Sequence, residues 1–259
     1  PFPAPELFRQ LPWRRQVLDG TLGADVVGFH TQDSARNFMV ALRAMDYSVQ
    51  IVDDSESANF LRGARLPEEA QVVGTVTLDS GRQVKVGVFP LSIDSAKVNA
   101  QANQPDVLAQ ASDLRARLGN PKVLIAGVDR LDYTKGIQHR LEAIEFLLDS
   151  GRLAPEDVAM VQVATPSRER LDDYRRTRQQ VEAIVSRING NHGSLGRSLI
   201  HYMHSGLPFE QIVALYTAAD VMLITPLKDG MNLVAKEYVA CHSDGSGALV
   251  LSEFAGAAT

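Results

Sequence analysis

From residue 123 onward the chain contains short apolar runs that are mostly separated by helical patterns, at residues 123–128, 158–164, 199–203, 221–225 and 249–252. Strands that alternate with helices in this way predict a parallel sheet covered by helices on both faces, an α/β fold. In such sheets ligands bind at the carboxyl ends of the strands. Polar residues that directly follow an apolar run are therefore candidates for a site.

One of the intervening helices has a clear pattern. Apolar residues recur with a period of about 3.6 residues, and charged residues fill the opposite face. The positions predicted to face the core are Leu171, Tyr174, Val181, Ile184, Val185 and Ile188. Residues 187–197 are rich in Gly, Asn and Ser, which predicts a loop after this helix.

The first part of the chain mixes helix and strand signals. The predicted elements are helices at residues 12–18 and 31–45 and a buried strand at residues 24–29. Residues 71–78 and 83–89 alternate with a period of two around a turn at residues 79–81, which predicts a hairpin. Pro90 ends that pairing, and residues 91–94 are predicted to be a linker.

Composition limits the partners of this chain of 259 residues. A net charge of −5 argues against a general role on nucleic acid or on a membrane surface, because both attract positively charged proteins. Small molecules are the expected partners, and a homo-oligomer stays open. The single cysteine, Cys241, cannot form an internal disulfide, and no apolar run approaches the roughly 20 residues that span a bilayer. A cytoplasmic location is expected.

Residues 229–237 read Asp-Gly-Met-Asn-Leu-Val-Ala-Lys-Glu and follow an apolar run that a proline stops. This order predicts a strand, a tight loop and a helix. The first helical turn leaves backbone N–H groups free for an anion, those of Asn232, Leu233 and Val234. A phosphate is expected there, which leaves Asp229 and Glu237 to accept hydrogen bonds from hydroxyl groups on either side.

Cations follow two of the other apolar runs. Arg130 and Lys135 come after the run at residues 123–128, and Arg168 comes after the run at residues 158–164. All three are predicted to lie at the carboxyl edge of the sheet, where ligands bind. The planar guanidinium of Arg168 suits a phosphate dianion.

Other polar residues are given no role in the site. Helical spacing with acidic neighbours places four arginines on a solvated face: Arg170, Arg175, Arg176 and Arg178. The histidines of this region lack an accompanying carboxylate or cysteine cluster, so no metal site is predicted at His192, His201 or His204.

Seven segments together resemble the trehalose-6-phosphate synthase family of retaining glycosyltransferases with the GT-B fold. They follow the order of that family at residues 1–12, 26–31, 129–136, 164–168, 187–190, 229–237 and 251–258. The second segment departs from the family pattern at Val26, Val27 and His30. The resemblance extends over nearly the whole chain.

The resemblance implies two Rossmann-like domains. Residues 1–92 would be the C-terminal part of an N-terminal acceptor domain that is mostly missing, and residues 93–259 would be a donor domain truncated at its end. The chain does not start with methionine, and it is expected to be an internal fragment of a longer enzyme, inactive by itself.

The resemblance also implies roles for single residues. Arg130, Lys135 and Asp229 would be catalytic, the two cations contacting the donor diphosphate and Asp229 the hydroxyl groups of the donor glucose. Glu237 would bind the two ribose hydroxyls, and Arg168 the phosphate of the acceptor. The remaining donor-binding positions would be Met231, Asn232, Leu233, Val234, Ala235 and Lys236.

The implied reaction moves glucose from a nucleotide-glucose to glucose 6-phosphate and gives α,α-trehalose 6-phosphate with retention, without a cofactor or a metal. UDP-glucose is the expected donor; GDP-glucose and ADP-glucose stay open, because the loop at residues 205–210 departs from the best-known bacterial pattern. The alternatives are a glucosyltransferase with another phosphorylated acceptor, such as glycerol 3-phosphate, and a non-catalytic sugar-phosphate sensor.

Overall fold

The computed structural model describes residues 2–53, 57, 70–167 and 172–258. Contacts between Cα atoms divide the chain into two compact units, with the division between Ser92 and Ile93. The predictions for Arg168 and Leu171 lie outside the described residues.

The first unit is a mixed sheet packed against helices. Its strands are β1 (Val26–Phe29), β2 (Ser48–Ile51), β3 (Gln71–Thr77) and β4 (Gln83–Val88), in the order β1-β4-β3-β2. Its helices are α1 (Pro5–Phe8), α2 (Arg14–Thr21) and α3 (Gln32–Arg43). β1 is parallel to β4, whereas the other two pairs are antiparallel. The predicted hairpin is confirmed as β3 and β4, with Gly81 in the turn at a φ of 80°.

Helix α3 shows why this part of the sequence is helical. The Thr31 side chain accepts a hydrogen bond from the backbone N–H of Ser34 and so caps the first turn. One face of α3 then buries Phe38 and Leu42 in the core of the first unit. Strand β2 had not been predicted: it is an edge strand of four residues, of which only Val49 and Ile51 are apolar, and none of the four is buried.

The second unit is a parallel sheet of five strands. They are β5 (Val123–Arg130), β6 (Val158–Thr165), β7 (Ile200–Met203), β8 (Val221–Ile224) and β9 (Ala248–Leu251), in the order β7-β6-β5-β8-β9. The helices are α4 (Ser95–Ala102), α5 (Pro105–Arg117), α6 (Ile137–Asp149), α7 (Asp172–His192), α8 (Phe209–Ala218) and α9 (Leu233–Cys241). Short 3₁₀ turns lie at Tyr133–Lys135 and Gly256–Ala258. All strand pairs are parallel, which confirms the predicted α/β class.

Helices cover both faces of this sheet. Successive residues of β5 alternate between two cores: Leu124 packs with α8 and α9, and Ile125 packs with α6 and α7. The chain builds the sheet outward from β5 through β6 to β7 and then returns to β8 and β9. The loops after β5 and β8 therefore leave the sheet where the strand order reverses, and in such sheets the crevice that binds ligands lies at this point of the carboxyl edge.

One prediction about a helix was wrong, and two helices had not been predicted. The loop predicted at residues 187–197 begins later, because α7 continues to His192. Ile188 is fully buried in the core, and Arg187 forms two hydrogen bonds with Glu145, so tertiary contacts hold the last turns in spite of their polar composition. Helices α4 and α5 had not been predicted, and each buries only two residues. No helix in the described ranges is long and apolar enough to cross a membrane.

Candidate functional site

The crevice between the loops after β5 and β8 contains a nearly buried ion pair. The Lys135 ammonium donates a hydrogen bond to Asp229 Oδ2 at 2.6 Å, and the two side chains are 13% and 16% exposed. The loops are also joined through their backbones, since Leu227 N–H donates to Thr134 O at 2.8 Å. The structure thus brings together two predicted site residues that are 94 positions apart.

Asp229 remains charged because several donors surround its carboxylate. Burial by itself would raise its pKa, but the hydrogen bond and charge of Lys135 outweigh burial and lower the pKa below its usual range. The Asn232 side-chain amide donates to the same Oδ2 atom at 3.0 Å, and Met231 N–H also donates to the carboxylate. Asp229 therefore presents a fixed negative charge at the edge of the crevice.

The N-terminus of α9 lies beside this ion pair. Asn232 is the capping residue, and its Oδ1 atom accepts a hydrogen bond from Ala235 N–H at 3.0 Å. Its φ of 82° is a conformation that asparagine tolerates better than most residues. With Ala235 N–H used by the cap, the backbone N–H groups of Leu233 and Val234 remain at the open end of the helix. The sequence predicts an anion site at this end of the helix.

A segment after β9 supports the loop that carries Asp229. Asp229 N–H donates to Phe254 O at 3.1 Å, and Gly256 N–H donates to Asp229 O at 3.2 Å. Ala257 N–H then donates to Met231 O at 2.7 Å. Through these hydrogen bonds, the segment at residues 251–258 holds the backbone of the segment at residues 229–237 in place and so fixes the position of Asp229.

Gly136 lets the two loops approach each other. Its φ is 64°, and a Cβ atom at this position would lie 2.1 Å from the carbonyl oxygen of Thr225, directly after β8. Only glycine satisfies both the backbone conformation and this contact. The loop from Arg130 to Gly136 is thereby held against the end of β8.

A buried arginine beneath the crevice was missed at the level of sequence. Arg140 of α6 donates through Nη1 to Asp129 Oδ2 at 2.7 Å and to Gln162 Oε1 at 2.9 Å, and through Nε to Thr225 Oγ1 at 3.1 Å. Its side chain is 0% exposed. It therefore ties together the ends of β5 and β8 and the middle of β6. The sequence contained one signal for such an arginine. Asp129 ends an apolar strand, and a buried carboxylate requires a cationic partner.

Arg130 lies at the end of β5 with an exposed side chain. Its charge acts on the neighbouring Asp132, which caps the 3₁₀ turn and accepts hydrogen bonds from Thr134 and from the Tyr174 hydroxyl. Burial would raise the pKa of Asp132, but these hydrogen bonds and the charge of Arg130 lower it. Arg130 makes no hydrogen bond to Lys135 or Asp229, so the structure brings it to the same edge without joining it to the pair.

Glu237 and Lys236 lie further along α9. The Glu237 carboxylate is half-buried and accepts a hydrogen bond from the Tyr216 hydroxyl at 3.0 Å. Lys236, also half-buried, follows the first turn of the helix. Tyr216 had not been predicted as a site residue. The sequence contains only weak evidence for a role of Tyr216, which lies within the apolar pattern of α8. A buried tyrosine hydroxyl usually has a hydrogen-bond partner, but the sequence does not show which.

Apart from this crevice, a hollow of about 200 Å³ lies beyond the ends of β5 and β6. It is lined by Leu131, Ser167, Tyr174, Arg175, Arg178 and His204. Arg175 and Arg178 each pair with a carboxylate of their own helix, as expected for the solvated face on which the sequence places them. In the described part of the chain, no three His, Cys, Asp or Glu side chains are close enough to hold a metal ion.

Comparisons with known proteins agree on one family. The family model described as glycosyltransferase family 20 matches residues 1–259. Trehalose-6-phosphate synthase of Mycobacterium avium (strain 104) is 50% identical over 258 residues, which are 100% of this chain and 50% of that protein. The chain thus spans about half the length of the curated relatives it matches.

Solved structures give the same result. An alpha,alpha-trehalose-phosphate synthase (UDP-forming) from Burkholderia xenovorans, in complex with glucose-6-phosphate, is 31% identical with a TM-score of 0.84, and the match covers 100% of this chain and 53% of that one. The E. coli trehalose-6-phosphate structure bound with UDP-2-fluoro glucose is 32% identical with a TM-score of 0.82, covering 100% and 52%. The chain belongs to glycosyltransferase family 20.

Proposed function

We propose that this chain carries the donor half of a retaining, metal-independent glucosyltransferase in the cytoplasm. It would transfer glucose from UDP-glucose to glucose 6-phosphate and so form α,α-trehalose 6-phosphate. Relatives named trehalose-6-phosphate synthase support this reaction, as do related structures that hold glucose-6-phosphate and UDP-2-fluoro glucose. The single cysteine supports the location.

The observation that carries the proposal is the Lys135–Asp229 pair beside the N-terminus of α9. A diphosphate would accept hydrogen bonds from the N–H groups of Leu233 and Val234, where the helix dipole also favours an anion. The sugar would lie against the Asp229 carboxylate, which accepts hydrogen bonds from hydroxyl groups. Glu237, about one helical turn beyond Leu233 on α9, would accept those of the ribose.

Lys135 can serve two partners at once. An ammonium group has three protons, and one of them is directed at Asp229, so the others remain for a diphosphate oxygen. The bond from the anomeric carbon to the diphosphate breaks while a bond to the acceptor hydroxyl oxygen forms on the same face, and the departing diphosphate oxygen takes up the proton of that hydroxyl. Negative charge then grows on the leaving oxygen, and Lys135 with Arg130 would stabilise it. Arg168 would hold the acceptor phosphate.

Calorimetric titration with UDP-, GDP- and ADP-glucose in the presence of a chelator tests the proposal. We expect saturable binding of UDP-glucose that the chelator does not weaken. Asp229→Asn should lower the affinity at least tenfold, since a carboxylate hydrogen-bonded to substrate contributes about 1.5–3 kcal/mol. Asp113→Asn is the matched control, because its carboxylate pairs with Arg117 on an exposed helix face. If the folded chain bound none of the three donors, its role as a donor-binding unit would be wrong.

A further inference from the structure

Glu237 is held from below by a buried tyrosine. The Tyr216 hydroxyl, in the last turn of α8, donates to Glu237 Oε2 at 3.0 Å, and Tyr216 is only 1% exposed. From the residues that the structure describes, the Glu237 side chain accepts this one hydrogen bond. Glu237 Oε1 and the second lone pair of Oε2 therefore stay available to a ligand.

The tyrosine ring has a fixed position. It belongs to the core between the sheet and helices α8 and α9, and it packs edge-on against Tyr238 with ring centroids 6.5 Å apart. Burial, followed by the negative charge of Glu237, raises the pKa of the Tyr216 hydroxyl far above its usual value. The hydroxyl therefore stays protonated and can only serve Glu237 as a donor.

Two adjacent hydroxyl groups bind a carboxylate best when both of its oxygens face them in one plane. A glutamate side chain on a helix surface samples many rotamers, and ordering it opposes binding. A hydrogen bond to one oxygen from a rigid ring removes part of this freedom before the ligand arrives. The geometry of Tyr216 and Glu237 fits this task, because the donor approaches from the core and leaves the solvent side open.

We propose that Tyr216 is a positioning residue that orients the Glu237 carboxylate for the two ribose hydroxyls of the donor nucleotide. The inference rests on the proposed role of Glu237 as the ribose-binding residue. Tyr216 acts through Glu237 and does not touch the nucleotide. It therefore contributes to the preference for a ribose over a sugar without these hydroxyls.

Tyr216→Phe removes the hydroxyl and keeps the ring. We expect it to weaken binding of UDP about tenfold, as for one hydrogen bond to a charged group. Binding of 2′,3′-dideoxy-UDP, which lacks both ribose hydroxyls, should not change. Tyr238→Phe is the matched control: it also deletes one buried hydroxyl, which donates to the Ala219 and Asp220 carbonyls, and it should weaken both nucleotides equally or neither.

A double-mutant cycle completes the test. If Tyr216 acts through Glu237, Tyr216→Phe should have no further effect on UDP affinity in a Glu237→Gln background. Equal weakening of UDP and of its dideoxy analogue by Tyr216→Phe, or no weakening of either, would overturn the inference. The ribose role of Glu237 is tested separately, by the preference of each protein for UDP over the dideoxy analogue. That role is rejected if the unmodified chain shows no such preference, or if Glu237→Gln leaves the preference unchanged.

Discussion

Asp229 shows how one neighbouring residue sets the charge of the site. Its carboxylate is mostly buried, which favours the protonated form, yet Lys135 lies 2.6 Å away and keeps it ionised. Because the pKa is lower in the folded chain than in the unfolded one, ionised Asp229 stabilises the fold above the unfolded pKa of about 3.9. That stabilisation is lost as the pH falls through the lower folded value.

Asp229→Asn should therefore destabilise the chain in a pH-dependent way. Near neutral pH it leaves the Lys135 ammonium mostly buried without its partner, at a cost of about 3 kcal/mol. As the pH falls from about 4 through the lower pKa of Asp229 in the folded chain, the stabilisation from the ionised carboxylate is lost, and the two proteins should converge in stability. Urea unfolding at a series of pH values measures this difference.

Asp113→Asn serves as the control for this pH series, because its exposed pair with Arg117 is expected to contribute less than about 1 kcal/mol at any pH. A gap between the unmodified chain and Asp229→Asn that stayed constant from neutral pH into acid would contradict the assigned charge of Asp229.

At the scale of elements, the site depends on how closely two loops approach. Gly136→Ala would place a Cβ atom 2.1 Å from Thr225 O, in a residue that already has a φ of 64°. Gly119→Ala is the matched control, since Gly119 has a φ of 82° but no atom near its Cβ position. Both variants should lose about 1–2 kcal/mol from the left-handed conformation. Only Gly136→Ala should also displace the loop that carries Lys135 and lose donor affinity at least tenfold.

Urea unfolding and titration with UDP-glucose, performed on both glycine variants, separate the two effects. Unchanged donor affinity in Gly136→Ala would show that the close approach of the loops has no part in binding.

The elements also show where reading the sequence succeeded. The strands of both units, apart from β2, were predicted because each coincides with a short apolar run or with an alternation of period two in the sequence. Prediction failed where burial is slight, as in β2, α4 and α5. It also failed at residues 187–192, where the pairing of Arg187 with Glu145 and the burial of Ile188 keep a Gly- and Asn-rich stretch helical.

At the scale of the whole molecule, turnover requires an acceptor as well as a donor. Arg130 stands exposed at the end of β5, in the second unit, while the proposed acceptor domain includes the first. We expect Arg130→Ala, assayed in protein that carries a complete acceptor domain, to lower kcat by about 10²-fold, as for one donor to a transition-state oxyanion.

The KM for the donor should change less than kcat, because in the proposed mechanism the charge that Arg130 stabilises develops during bond breaking. Arg117→Ala is the control, since Arg117 pairs with Asp113 on an exposed face of α5. Measured initial rates that leave kcat unchanged in Arg130→Ala would remove this residue from the mechanism.

Local sequence by itself determined the βα order, the helix that follows Asp229 and the positions where cations follow strands, because these signals act over a few residues. The family segments also predicted which of these residues form a site, and that assignment stays a prediction. Tertiary structure alone decided the contacts between them: Lys135 with Asp229, Tyr216 with Glu237, and Arg140 with Asp129, Gln162 and Thr225. These partners come from different strands and helices, so only the strand order and helix packing bring them within hydrogen-bonding distance. Burial then strengthens each hydrogen bond, because the local dielectric constant is low.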